Sequence, residues 1–144
     1  MLTLYHDHNA VCCQKDEFTQ DRPHPMIDHR TRHERILQEA ADPETAVILF
    51  DVVIGYGSHA NPAAEILISI EGARNIAAKE NRQIYFVGFV CGTDLDPQKF
   101  TEQIATLKSA GVNLAESNTN AARLAASLIV TQSSQRKLAV RGST

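Results

Sequence analysis

The stretch AVILFDVVI, Ala46 to Ile54, is apolar throughout except at Asp51 and rich in β-branched residues. A half-exposed strand would alternate apolar and polar residues, so a continuous run this short reads as a strand covered on both faces. Such strands belong to parallel sheets with helices on either side. QIYFVGFV, Gln83 to Val90, has the same character, and VNLAE, Val112 to Glu116, is a weaker third example.

The segments between these runs carry helix signals. Asn61 is placed to cap a helix whose first position is Pro62, and Ala63, Ile66, Leu67, Ile70, Ala73 and Ala77 then repeat along one face. Asp96-Pro97 gives a similar start ahead of Phe100, Ile104 and Leu107, and Gly111 stands where a left-handed residue closes a helix. Ser117 or Asn118 opens a last helix carrying Ala121, Leu124, Ala125, Leu128 and Ile129, after which the chain from Thr131 reads as polar and loose. A first helix lies between Pro25 and Ala41 and ends at Asp42-Pro43. Its entry, DRPHPMIDHRTR (Asp21 to Arg32), puts Pro25 at the first helical position or Asp28 at a slightly later cap. The histidines there gain a chemical role only if His24 reaches the loop of His59.

Helices alternating with strands over short connections define an α/β protein. The expected fold is a flavodoxin-like three-layer sandwich with a short, truncated-looking parallel sheet. Three strands leave that sheet narrow, with two open edges for a missing piece or a second chain to complete.

At 144 residues one domain is expected, and a net charge of -3 supplies no basic surface for nucleic acid. No apolar run approaches the ~20 residues that span a bilayer, and the N-terminus lacks a secretory pattern, so a cytoplasmic protein with no membrane partner is expected. Cys12, Cys13 and Cys91 are odd in number with two adjacent, which implies reduced thiols. His6, His8, Cys12 and Cys13 offer soft ligands, but their spacing fits no closed zinc site and no metal is expected.

In open parallel sheets, ligands bind beyond the carboxyl ends of the strands, where helix N-termini present unpaired amides. Three loops lie there: GYGSHANP (Gly55 to Pro62), CGTDLDP (Cys91 to Pro97) and ESNTN (Glu116 to Asn120). Gly55, Gly57, Ser58, Cys91, Gly92, Thr93, Ser117 and Asn118 are the candidate ligand-binding residues, for a phosphate-type anion. Asp51 and His59 are the candidate catalytic pair. The bland alternatives are tight strand-to-helix turns for the loops, an acceptor for loop amides in Asp51, a solvated loop side chain in His59, and a small buried apolar residue in Cys91. The acid pair and late lysine of a phospho-acceptor receiver are not evident.

DEFTQDRPHPMIDHRTR, ADPETAVILFDVVIGYGSHANPA, FVCGTDLDPQ and AGVNLAESNTNAARLA together resemble the C-terminal ligase-type domain of the FdrA family, relatives of the succinyl-CoA synthetase α subunit. The resemblance covers residues 16–131, with residues 1–15 outside it and 132–144 as a polar tail. It implies acyl-CoA chemistry in which a histidine carries phosphate between acyl phosphate and nucleotide, with helix N-termini holding the phosphoryl group. In that superfamily the histidine follows the second strand of this domain in a Gly-His-Ala-Gly setting. VCGTDLDPQKF, Val90 to Phe100, contains no histidine. Asp51 stands where the family's supporting glutamate belongs, and His59 is the nearby replacement base. CoA and nucleotide are implied only for complete family members, none being bound by this chain alone.

Two functions follow as expectations. One is a partial acyl-CoA synthetase-like domain, not catalytically complete alone, acting as a homo-oligomer, a subunit or a partner-binding module. The other is an enzyme domain that binds phosphate, acyl phosphate or carbamoyl phosphate in an acyl-CoA ligase or oxamate carbamoyltransferase complex.

Overall fold

The apolar run forms the central strand. In the computed structural model, residues 2–5, 10–12 and 30–141 are described, with side chains described from 30 to 131. In chain order the elements are β1 (Leu2–Tyr5), β2 (Ala10–Cys12), α1 (Arg30–Ala41), β3 (Thr45–Val53), α2 (Pro62–Lys79), β4 (Tyr85–Cys91), α3 (Phe100–Ser109), β5 (Asn113–Leu114) and α4 (Asn118–Arg141).

The three strands expected from the sequence pair in parallel, Val47 opposite Tyr85 through Val53 opposite Cys91, and Val87 opposite Asn113. Alternation along β3 sends Ile48, Phe50 and Val52 into one core with Ile36 of α1, Ile66 and Ile70 of α2 and Leu107 of α3. Val47 and Leu49 enter a second core with Ala121, Ala125 and Ile129 of α4. The continuous apolar run is thus explained: both faces of β3 are covered, which makes this a flavodoxin-like α/β sandwich.

Two expectations require correction. The edge of β3 is not open: β1 pairs with it antiparallel and β2 pairs with β1, giving a five-stranded sheet in the order β2-β1-β3-β4-β5. That order is the flavodoxin-like 2-1-3-4-5, but its first two strands form an antiparallel pair instead of entering by parallel crossovers. Short strands in residues 1–12 carried too little periodicity to be read. The segment after Thr131 is not loose either, since α4 runs on as helix to Arg141.

Candidate functional site

Each loop at the carboxyl ends of the parallel strands is built around a helix start. At α2 the sequence signals hold: Pro62 opens the helix and Asn61 Oδ1 accepts from the Ala64 amide. The remaining amides of that first turn are also taken. His59 Nδ1 accepts from Asn61 N–H at 3.2 Å, Gln103 Oε1 accepts from Ala63 N–H at 3.0 Å, and Asn61 O accepts from Glu65 N–H at 3.3 Å. Pro62 has no N–H to offer. The α2 terminus therefore presents no unpaired amide, although the sequence pattern there is the one that anion sites use.

Two glutamines hold the first two loops together. Gln98 Oε1 accepts from Gly55 N–H at 3.0 Å, and its Nε2 donates to Gly55 O at 3.0 Å and His59 O at 3.1 Å. Gln103 Nε2 donates to Gln98 O at 3.0 Å, which links the clamp to the Ala63 amide. Both glutamines are buried. Neither was picked out from the sequence. Gln103 left a signal, because it lies on the apolar stripe of α3 with Phe100, Ile104 and Leu107, where a polar side chain must find buried partners. Gln98, in a turn, left none.

The second loop departs from its expected start. The helix begins at Phe100, three residues later than Pro97, and Asp94 caps it from across the turn, accepting from Thr101 N–H and Thr101 Oγ1, both at 2.8 Å. These bonds lower the Asp94 carboxyl below its ordinary range, the backbone amide of Thr101 contributing most and Lys99 least. Asp96 turns back onto the Thr93 amide at 2.6 Å. Gly92 has φ +151°, and a Cβ there would overlap Ile54 Cγ1 and come within 2.9 Å of Asp96 Oδ2. In the third loop Ser117 resolves the alternative left by the sequence, since its Oγ accepts from Asn120 N–H at 3.2 Å and Asn118 is the first helical residue.

The remaining candidates fall as follows. Asp51 is met by a cation from α1, with Arg32 Nη2 at 3.8 Å from Oδ1 and Arg32 Nη1 donating to Asp51 O at 3.0 Å. His59 lies in the loop before α2 and faces Glu65 Oε1 at 4.0 Å. Cys91 is exposed, which removes the reading as a buried apolar residue. Ser58 Oγ is buried without a hydrogen-bond partner. Gly57, with φ +85°, has open space where a Cβ would stand. His24, His6, His8 and Cys13 lie outside the described residues, and Cys12 is described only as backbone in β2.

A cavity of about 300 Å³ lies away from these loop tips, between the first turn of α1 and the first turns of α2. It touches the loop system indirectly, because its lining residues Arg32 and Glu65 are the residues that face Asp51 and His59.

An open α/β sheet carrying these strand-end loops is matched by the CoA-ligase family model over residues 3–128, and the chain belongs to that family. The match takes in the N-terminal strands that lay outside the resemblance read from the sequence. Among individual proteins, the chain is similar to Uncharacterized protein YahF of Escherichia coli (strain K12), 46% identical over 114 residues. That alignment covers 79% of this chain and 22% of YahF, so the chain matches only about a fifth of the relative's length. No helix among the described residues is long and apolar enough to cross a membrane.

Proposed function

We propose that the chain is a partial CoA-ligase-type domain of the FdrA kind that does not complete catalysis by itself and serves as a subunit or partner-binding module. The reading is carried by the α2 N-terminus, where every backbone amide that a phosphoryl group would need is already bonded to the chain's own atoms. The loop from Val90 to Phe100 adds that it holds no histidine to receive phosphate. Partner binding is supported by Tyr56 and Leu95, which are 90% and 92% exposed on loops that Gln98 ties together. Large apolar side chains held out on a fixed scaffold suit contact with another protein surface.

The test is an acyl-CoA formation assay with ATP, CoA and succinate, run beside sedimentation of the chain. The proposal expects no product from the chain alone. Turnover by the purified chain would sink it.

A second reading is favoured by Ser58. Its buried hydroxyl has no partner in a loop with two glycines at positive φ, a setting in which the oxygen of a phosphate, acyl phosphate or carbamoyl phosphate would supply the missing bond. On this reading Asp51 and His59 flank the ligand and Gly55, Gly57, Cys91, Gly92, Thr93, Ser117 and Asn118 surround it. Calorimetric titration with phosphate and carbamoyl phosphate separates the two: heat that disappears in Ser58→Ala favours the second, and no heat favours the first.

A further inference from the structure

We propose that the loop face carrying Tyr56 and Leu95 docks a basic segment of another protein, in which an aliphatic or aromatic side chain is flanked by lysines or arginines. This rests on the partner-binding reading above and names the chemistry of the partner. The two side chains are almost fully exposed and stand on neighbouring loops. Tyr56 follows Gly55 and Leu95 precedes Asp96, and the Asp96 carboxylate lies 3.7 Å from where a Cβ on Gly55 would stand. Gln98 bonds both the N–H and the carbonyl of Gly55, while Leu95 N–H donates to Thr93 Oγ1 at 3.2 Å. Both apolar side chains therefore project from backbone that is already held, which lowers the ordering cost of contact.

The surrounding charge selects the partner. The three strand-end loops and the helix turns that follow them hold Glu65, Asp94, Asp96, Glu102 and Glu116, with Lys99 as their only lysine or arginine. Asp94 and Asp96 accept from the neutral donors of Thr101 and Thr93, so those bonds leave their negative charge in place. A face of this sign repels the phosphates of nucleic acid and of anionic lipid, and it repels its own copy across a two-fold axis. It attracts a basic surface, whose charges speed encounter and select against acidic competitors. Tyr56 and Leu95 then supply the apolar anchors at the centre of the contact.

The test presents the full chain to a random library of short peptides displayed on phage, with the double variant Tyr56→Ser, Leu95→Ser as a parallel target. Both positions are exposed, so the double variant should keep the parent melting temperature. The parent chain should enrich peptides that combine lysine or arginine with leucine or an aromatic residue. The best of them, synthesised and titrated, should bind the double variant roughly thirtyfold more weakly. A charge-reversed chain, Glu102→Lys with Glu116→Lys, keeps the apolar pair and should bind it roughly tenfold more weakly. Enriched peptides that are neutral or acidic, yet fail on the double variant, would overturn the basic partner and leave this face as a docking site. Peptides that bind the parent and the double variant alike, or no enrichment at all, would overturn both. Binding to phosphatidylserine vesicles, or self-association that the double variant abolishes, would overturn the proposal in favour of a membrane or a second copy.

Discussion

Gln98 illustrates how one side chain sets the shape of the candidate site. It joins the loop after β3 to the loop before α3 through three hydrogen bonds, so Gln98→Ala leaves a buried amide and two carbonyls short of partners. The expected loss is about 1–3 kcal/mol, read from the shift in a urea unfolding midpoint. A midpoint unchanged within error would show the clamp to be incidental. Glycines provide a second comparison. Gly57 and Gly92 both have positive φ, but only Gly92 lacks room for a Cβ. Gly57→Ala should therefore cost ~1 kcal/mol of backbone strain and Gly92→Ala distinctly more, and equal melting temperatures would contradict the packing at Ile54. Asp94 makes a pH prediction. Its carboxyl is lowered in the folded chain, so its contribution is present above the ordinary aspartate range and is lost as pH falls through the folded value. The melting temperatures of the parent chain and Asp94→Asn should converge as pH is taken from 7 to ~3. A gap that stays constant would show that the carboxylate cap does not contribute.

At the scale of elements, helix starts divide into those with a local signal and those without. The α2 start was legible because Asn61 and Pro62 adjoin the helix they begin, and Asn61→Ala should cost ~1 kcal/mol there, measurable as a lowered thermal midpoint. The α3 start was misplaced because its cap, Asp94, reaches Thr101 from seven residues away, a distance that no adjacent-residue rule covers. Gly111 was read correctly as the residue closing α3, at φ +70°, since a left-handed position selects glycine directly. Asp51 was legible as an anomaly inside an apolar strand, but its partner was not, because Arg32 lies on a separate helix and is brought to it only by packing.

For the molecule as a whole, the three parallel strands and both cores followed from continuous apolar runs and helical periodicity. The N-terminal hairpin did not, since β1 and β2 together contain seven residues, and β1 pairs with β3 and β2 with β1 through backbone bonds that leave little mark on side-chain type. The hairpin changes what is expected of assembly, because β1 occupies the edge of β3 that had been offered to a second chain. Removing residues 1–12 should expose that edge and drive self-association, visible as oligomers in sedimentation velocity; a shortened chain that stays monomeric with the parent melting temperature would contradict the pairing. The central claim concerns the other end of the sheet, where the start of α2 resembles a phosphoryl site but has its amides taken by the chain's own groups. Incubation with ATP labelled on the γ-phosphate tests it directly. The account predicts no acid-labile, base-stable phosphate on the protein, whereas label of that stability recovered on the peptide containing His59 would contradict it.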